Sequence, residues 1–175
     1  MHAREAEAVN VKRAPVTVAV VDSGVEDTHP DLEGRVDTSR SVKCSVNGVA
    51  TQDFYGWRDE FYHGTHVAGT IAAVNNNGVG VCGIAGGSGR GDGVKIMSCE
   101  ILGKSESGSS GAGLAGQIRA IKYAADNGAS IIQCSWGYPT QSPFTSDSFY
   151  ERNYAAEKEA IDYFVSKKNN DVLDG

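Results

Sequence analysis

Hydrophobic and polar positions alternate between two periods along this chain, and the changes of period divide it into elements. Residues 16–21 (VTVAVV) form a continuous run rich in β-branched residues that stops at Asp22-Ser23-Gly24. That is the pattern of a strand buried on both faces, with a turn at its carboxyl end. Residues 94–101 (VKIMSCEI) and 130–134 (SIIQC) predict a second and a third core strand. Between them, Leu114, Ile118, Ile121 and Ala125 recur at spacings of four, three and four, which predicts an amphipathic helix stopped by Asn127-Gly128. Residues 63–75 (HGTHVAGTIAAVN) carry small residues at Ala68, Gly69, Ala72 and Ala73, the composition of a helix packed tightly from all sides. A last helix is predicted within 146–167, with Tyr154, Ile161, Phe164 and Val165 on one face, before a polar tail at 169–175. Residues 37–62 are mixed and turn-rich, with Asn47-Gly48 as a turn signal, and predict no regular element.

Strands alternating with helices of this length predict a three-layer, doubly wound α/β fold: a mainly parallel sheet reached by right-handed crossovers, with helices on both faces. In such sheets chemistry collects at the carboxyl ends of the strands. Three segments follow the predicted strands at that edge: Asp22, the Gly/Ser-rich stretch 103–113, and Ser135-Trp136-Gly137.

Composition narrows the function. At 175 residues the chain fits one domain, read as a short extension over 1–15 and a domain over 16–175. No apolar stretch approaches the length of a membrane span. Sixteen basic and 22 acidic residues give a net charge of −6, without a Lys/Arg cluster to receive a polyanion, so neither membrane nor nucleic acid is an expected partner. Glycine, at 22 residues, is nearly double its usual share and predicts close backbone approaches. Cys44, Cys82, Cys99 and Cys134 form no CxxC pair, and Cys99 and Cys134, in strand-like runs, are expected to be buried free thiols. The charged residues 1–10 lack the apolar core of a secretory signal.

Two segments carry the chemistry. VAVVDSGVEDTHPDL, at 18–32, and HGTHVAGTIAA, at 63–73, closely resemble the aspartate and histidine motifs of the subtilisin-like serine proteases. An apolar strand ending in Asp is common to many α/β folds, an open nucleotide or phosphate binder among them. The second segment is far more specific, and the two stand in the family's order, 41 residues apart. The resemblance extends from about Val16 to about Gly137, the N-terminal part of the catalytic domain. It implies that Asp22 is the buried carboxylate orienting the histidine and that His63 is the general base. A serine hydroxyl attacks a carbonyl only when an imidazole takes its proton, and the imidazole serves only in the tautomer a carboxylate holds. His66 and His29 are expected to be structural.

The family binds its substrate as an extended strand between two enzyme backbone segments, which implies Ser135, Trp136 and Gly137 on one side and the loop containing Gly111 and Ala112 on the other. Asp31 and the loop 74–81 resemble the family's calcium site. Asp31 and Asn76 would be side-chain ligands and Val74 and Val79 carbonyl donors, oxygen ligands of the mixed kind a hard cation takes. The family's habits further imply protein or peptide substrates and a secreted or cell-surface location.

The family's serine motif, of GTSMA type, and its AAGN-type oxyanion segment have no match; no GTS tripeptide occurs. A chain with Asp and His but no such serine has a base and no nucleophile, and is expected to be inactive alone. Three explanations stay open: a truncated protease, one piece of a split enzyme whose other fragment carries the serine, or a noncatalytic subtilase-like protein that binds or regulates.

Overall fold

A computed structural model describes residues 16–44, 50–51, 59–88, 90–103, 111–138 and 146–172. The predicted extension 1–15 and the Asn47-Gly48 turn lie outside the described residues. The centre of the structure is β1, Thr17–Asp22, buried at every position. It pairs in parallel with β4, Lys95–Glu100, on one side and with β5, Ile131–Cys134, on the other. The sheet order is β3-β2-β4-β1-β5. At its far edge β2, Val42–Cys44, runs parallel to β4 and antiparallel to β3, Ala50–Thr51.

Because successive strand residues face opposite ways, β1 serves two cores at once. Val18 and Val20 pack with Val25, Leu32, Ile96, Ala68 and Ala72 beneath α1, His63–Ala72. Ala19 and Val21 pack with Val42, Met97, Cys99, Ala120 and Ala124 beneath α2, Gly113–Asp126. Helices thus cover both faces, as expected. Alanines at the helix–sheet contacts let α1 and α2 sit close to the strands. The predicted helix stop is real: Gly128 takes φ +80°, and the Ala129 amide bonds back to the Ala124 carbonyl.

The structure departs from the sequence pattern at several places. The segment 37–62 holds β2 and β3, whose three and two residues are too short to show a period; parallel pairing to β4, with Val42 opposite Cys99, makes β2 a strand. Helix α1 is not enclosed on all sides, since His66 and Thr70 are exposed on its outer surface. The last helix is two: α3, Asp147–Asn153, capped by the Ser146 hydroxyl, and α4, Ala155–Val172. The break falls at Tyr154, which stacks on Tyr138 at a centroid distance of 4.2 Å. The α4 face predicted from Ile161, Phe164 and Val165 borders an open groove of about 500 Å³ beside β5, where Ile161 and Val165 stay exposed.

All four cysteines are free thiols. Cys99 is buried as expected, whereas Cys134 is exposed, because β5 is an edge strand opening onto that groove.

Met97 is fully buried at the centre of the α2-side core. Met97→Ala is expected to cost about 2–5 kcal/mol in chemical denaturation. Thr70→Ala, on the open side of α1, is expected to stay within about 0.5 kcal/mol.

Candidate active site

The alternation that buries Val18 and Val20 under α1 also turns Asp22, the last residue of β1, toward that helix. Helix α1 begins there with His63. His63 Nδ1 lies 2.7 Å from Asp22 Oδ1; the Asp22 side chain is 1% exposed and that of His63 52%. A carboxylate accepts only, so Nδ1 carries the proton, and in the neutral ring Nε2 is the nitrogen with the free lone pair. The Ser23 amide donates a second bond, 2.7 Å, to the same Asp22 oxygen. The pair is therefore anchored in the protein at one end and open to solvent at the other, the geometry of a proton acceptor held in one tautomer.

Its closeness depends on Gly64. A Cβ there would lie 2.1 Å from the Gly24 carbonyl oxygen and 3.1 Å from Asp22 Cβ, so only glycine lets the helix start come down on the turn after β1.

Two further residues, Ser23 and Asp59, complete this corner and were not singled out in the sequence. Both are buried. The Ser23 hydroxyl donates to Asp59 Oδ1 at 2.8 Å and accepts the Gly64 amide at 2.9 Å. Asp59 Oδ2 accepts the Thr65 amide at 2.8 Å, and Oδ1 also accepts the Phe61 amide at 3.1 Å. Asp59 thereby caps a helix whose own boundary residue, Tyr62, makes no side-chain cap and takes a left-handed φ of 59°. The available signal was an acidic residue four positions before the helix start.

The other predicted segments share this edge. The Ile101 and Leu102 amides both bond the Asp22 carbonyl, and the Ala112 amide bonds the Ile101 carbonyl at 2.6 Å. Gly111 and Ala112 are so tied beside β1, with Gly111 at φ +113°. Ser135 and Gly137 are exposed after β5, and a Cβ on Gly137 would meet open space. Trp136 between them is held differently: its indole N–H donates to the Val21 carbonyl at 3.0 Å, fastening the segment to the strand that bears Asp22.

Burial pushes the Cys44 thiol up to about 11 and the Cys99 thiol higher still, and Cys134, exposed as a residue but with its thiol partly shielded from water, is likewise pushed up to about 11. None of these three is a thiolate nucleophile near neutral pH. Burial also pushes the Glu100 carboxyl up, partly offset by Lys43 at 3.3 Å.

Away from the base, Asp31 is buried under the loop after α1. Its Oδ1 accepts the Asn77 side-chain amide at 2.9 Å and its Oδ2 the Val81 amide at 2.7 Å. A Cβ on Gly80 would fall 2.3 Å from Oδ2, so the loop wraps the carboxylate closely. Val74 is tied in through its amide, 2.9 Å from the Asp31 carbonyl oxygen. Val79 is exposed, its amide bonded to Asn77 Oδ1. Asn76 is exposed and reaches toward the Ser88 carbonyl at 3.4 Å, so the structure brings Asn77 rather than Asn76 to Asp31. His29 fits its structural role, since Nδ1 accepts the Asp31 amide at 3.2 Å. His66 does not pack; it lines a cavity on the outer face of α1.

Gly64→Ala is expected to cost at least the roughly 1–3 kcal/mol of an overpacked site, because backbone must move to admit the methyl. Thermal unfolding measures it.

The family model of the subtilases, Peptidase_S8, matches residues 13–173. The thermophilic serine proteinase of Bacillus sp. (strain AK1) is 34% identical over 145 residues, covering 82% of this chain and 31% of that protein. Fervidolysin of Fervidobacterium pennivorans is 37% identical over 159 residues, covering 89% of this chain and 20% of that protein. The crystal structure of the epidermin leader peptide processing serine protease of Staphylococcus aureus superimposes with a TM-score of 0.62 at 26% identity, over 90% of this chain and 36% of that one. The chain thus spans between a fifth and two-fifths of the length of these relatives. The match over nearly its whole length, together with an Asp–His pair at the carboxyl edge of a parallel sheet, establishes that the chain belongs to the subtilase family.

Proposed function

We propose that this chain supplies the acid–base half of a serine endopeptidase of the subtilisin type. The observation that carries the reading is the buried Asp22 carboxylate 2.7 Å from Nδ1 of a half-exposed His63. In the reaction, Nε2 of His63 takes the proton of a serine hydroxyl as the oxygen attacks the scissile carbonyl. Asp22 stabilises the imidazolium that results and fixes its orientation. The same Nε2 then returns the proton to the leaving amine, and water repeats the cycle on the acyl-enzyme.

In this reading the serine would come from a polypeptide segment outside the residues given, since no GTS tripeptide occurs among them. The exposed backbone of Ser135 and Gly137 and the segment at Gly111 and Ala112 would take an extended protein or peptide substrate between them by main-chain pairing. On family grounds the proposal extends to a secreted or cell-surface protein.

Calcium belongs to the same reading as a structural ion. The donors at Asp31 are a side-chain amide and a backbone N–H, so no cationic side chain occupies the buried carboxyl among the described residues, which supports a cation there. Asp31 would hold the ion with the carbonyls of Val74 and Val79 and an asparagine of the loop, Asn76 or Asn77, after the Asn77 amide turns its oxygen inward. Bound calcium would supply positive charge that fastens the loop to the turn before it.

A fluorophosphonate probe that modifies only an activated serine is expected to label a longer polypeptide containing this chain, or a second one that copurifies with it. Absence of label in both would favour a noncatalytic binding module. In the labelled form, Asp22→Asn is expected to lower turnover by roughly four orders of magnitude, the loss typical of a neutralised triad carboxylate. Millimolar calcium is expected to raise the melting temperature of the chain by mass action, and Asp31→Asn to abolish the shift.

A further inference from the structure

We propose that Asp59 is a positioning residue for the base, acting on His63 through Ser23. The inference rests on His63 being the general base, and deepens that reading by saying what holds the base in place.

The direction of the hydrogen bonds carries it. A carboxylate can only accept, so Asp59 Oδ1, 2.8 Å from Ser23 Oγ, fixes the hydroxyl proton of Ser23 on its own side. The Ser23 lone pairs are then left for the Gly64 amide, 2.9 Å away. Gly64 is the residue next to His63. The Ser23 backbone amide meanwhile donates to Asp22 Oδ1, the oxygen that holds His63 Nδ1. Ser23 is thus fastened to both members of the pair, by its backbone to Asp22 and by its side chain to the start of the helix that bears His63. Asp59 sets the sense of the side-chain bond, and its other oxygen takes the next amide of the helix, Thr65. Ser23 and Asp59 are each 2% exposed, so water does not substitute for either partner without entering the core.

An amide in place of Asp59 would fail in a defined way. Asparagine has nearly the same shape but must present an N–H to one of the groups that Asp59 accepts from. Facing Thr65, it opposes donor to donor; facing Ser23, it opposes the Phe61 amide donor to donor and leaves the Ser23 hydroxyl proton without the acceptor that fixes it. The account therefore separates from simple space filling, which Asp59→Asn preserves.

The test uses the chain as it stands and needs no serine. A proton shared between His63 Nδ1 and Asp22 gives a low-field ¹H NMR resonance well separated from the amide region, removed by Asp22→Asn. In Ser23→Ala and Asp59→Asn this resonance is expected to broaden or vanish, while dispersed core signals show the fold intact. Met97→Ala serves as the control: it weakens the core but is expected to leave the resonance in place. Wild-type position and width in both Ser23→Ala and Asp59→Asn would overturn the proposal, as would loss of the resonance in Met97→Ala to the same degree. Should Asp59→Asn not fold, Ser23→Ala decides alone. Absence of the resonance in the unaltered chain would overturn both the Asp22–His63 pair and the role of Asp59. Failure to find a labelled serine in a longer polypeptide would count against protease function and leave the NMR result standing.

Discussion

Everything in this structure turns on bringing a helix start within hydrogen-bond reach of a strand end while keeping a carboxylate dry. A buried ionised carboxylate is costly unless its oxygens are satisfied. Asp22 meets that demand on one oxygen, where Oδ1 takes both the Ser23 amide and the His63 ring at 2.7 Å, while Oδ2 is buried without a hydrogen-bond partner among the described residues. For the ring to arrive, the first turn of α1 must descend onto the turn after β1, and Gly64 against the Gly24 carbonyl is the contact that decides whether it can. Alanines at 68 and 72 continue the close approach along the helix. The small residues of HGTHVAGTIAA thus serve geometry at the site as well as packing.

The sheet distributes the work. Its central strand gives one face to each helical layer and its carboxyl end to Asp22; the neighbouring strands deliver Gly111–Ala112 and Ser135–Gly137 to the same edge. Trp136 ties β5's exit to β1 through the Val21 carbonyl, so the backbone of residues 135–137 and the Asp22–His63 pair share one support. Burial pushes the Cys44 and Cys99 thiols on the α2-side face up, which disfavours their thiolate forms near neutral pH. Among the described residues, the edge strand β5 and the groove beside α4 leave Ile131, Ile161 and Val165 exposed.

The three core strands, the two central helices and the Asp22–His63 pair were legible in the sequence because each leaves a local mark: a β-branched run, a helical spacing, or a motif with fixed neighbours. Strands β2 and β3 were not legible, since two or three residues hold no period and their pairing partners are distant. The break at Tyr154 depends on stacking with Tyr138, which no local pattern records. Asp59 is legible only in part: its partners Phe61 and Thr65 are local, whereas Ser23 lies 36 residues away, and that bond forms only when β1 and α1 meet. In the loop after α1 the run of three asparagines left the register to geometry, which turned Asn77 and not Asn76 toward Asp31.

The central claim is that the fold holds His63 as a base in one tautomer. Imidazole ¹⁵N NMR of the selectively labelled chain near neutral pH tests it most directly. The account predicts a protonated Nδ1 and a bare Nε2 for the neutral ring of His63, with the distinction collapsing in Asp22→Asn. A neutral His63 protonated on Nε2, or one averaging between both forms as an unrestrained imidazole does, would contradict it.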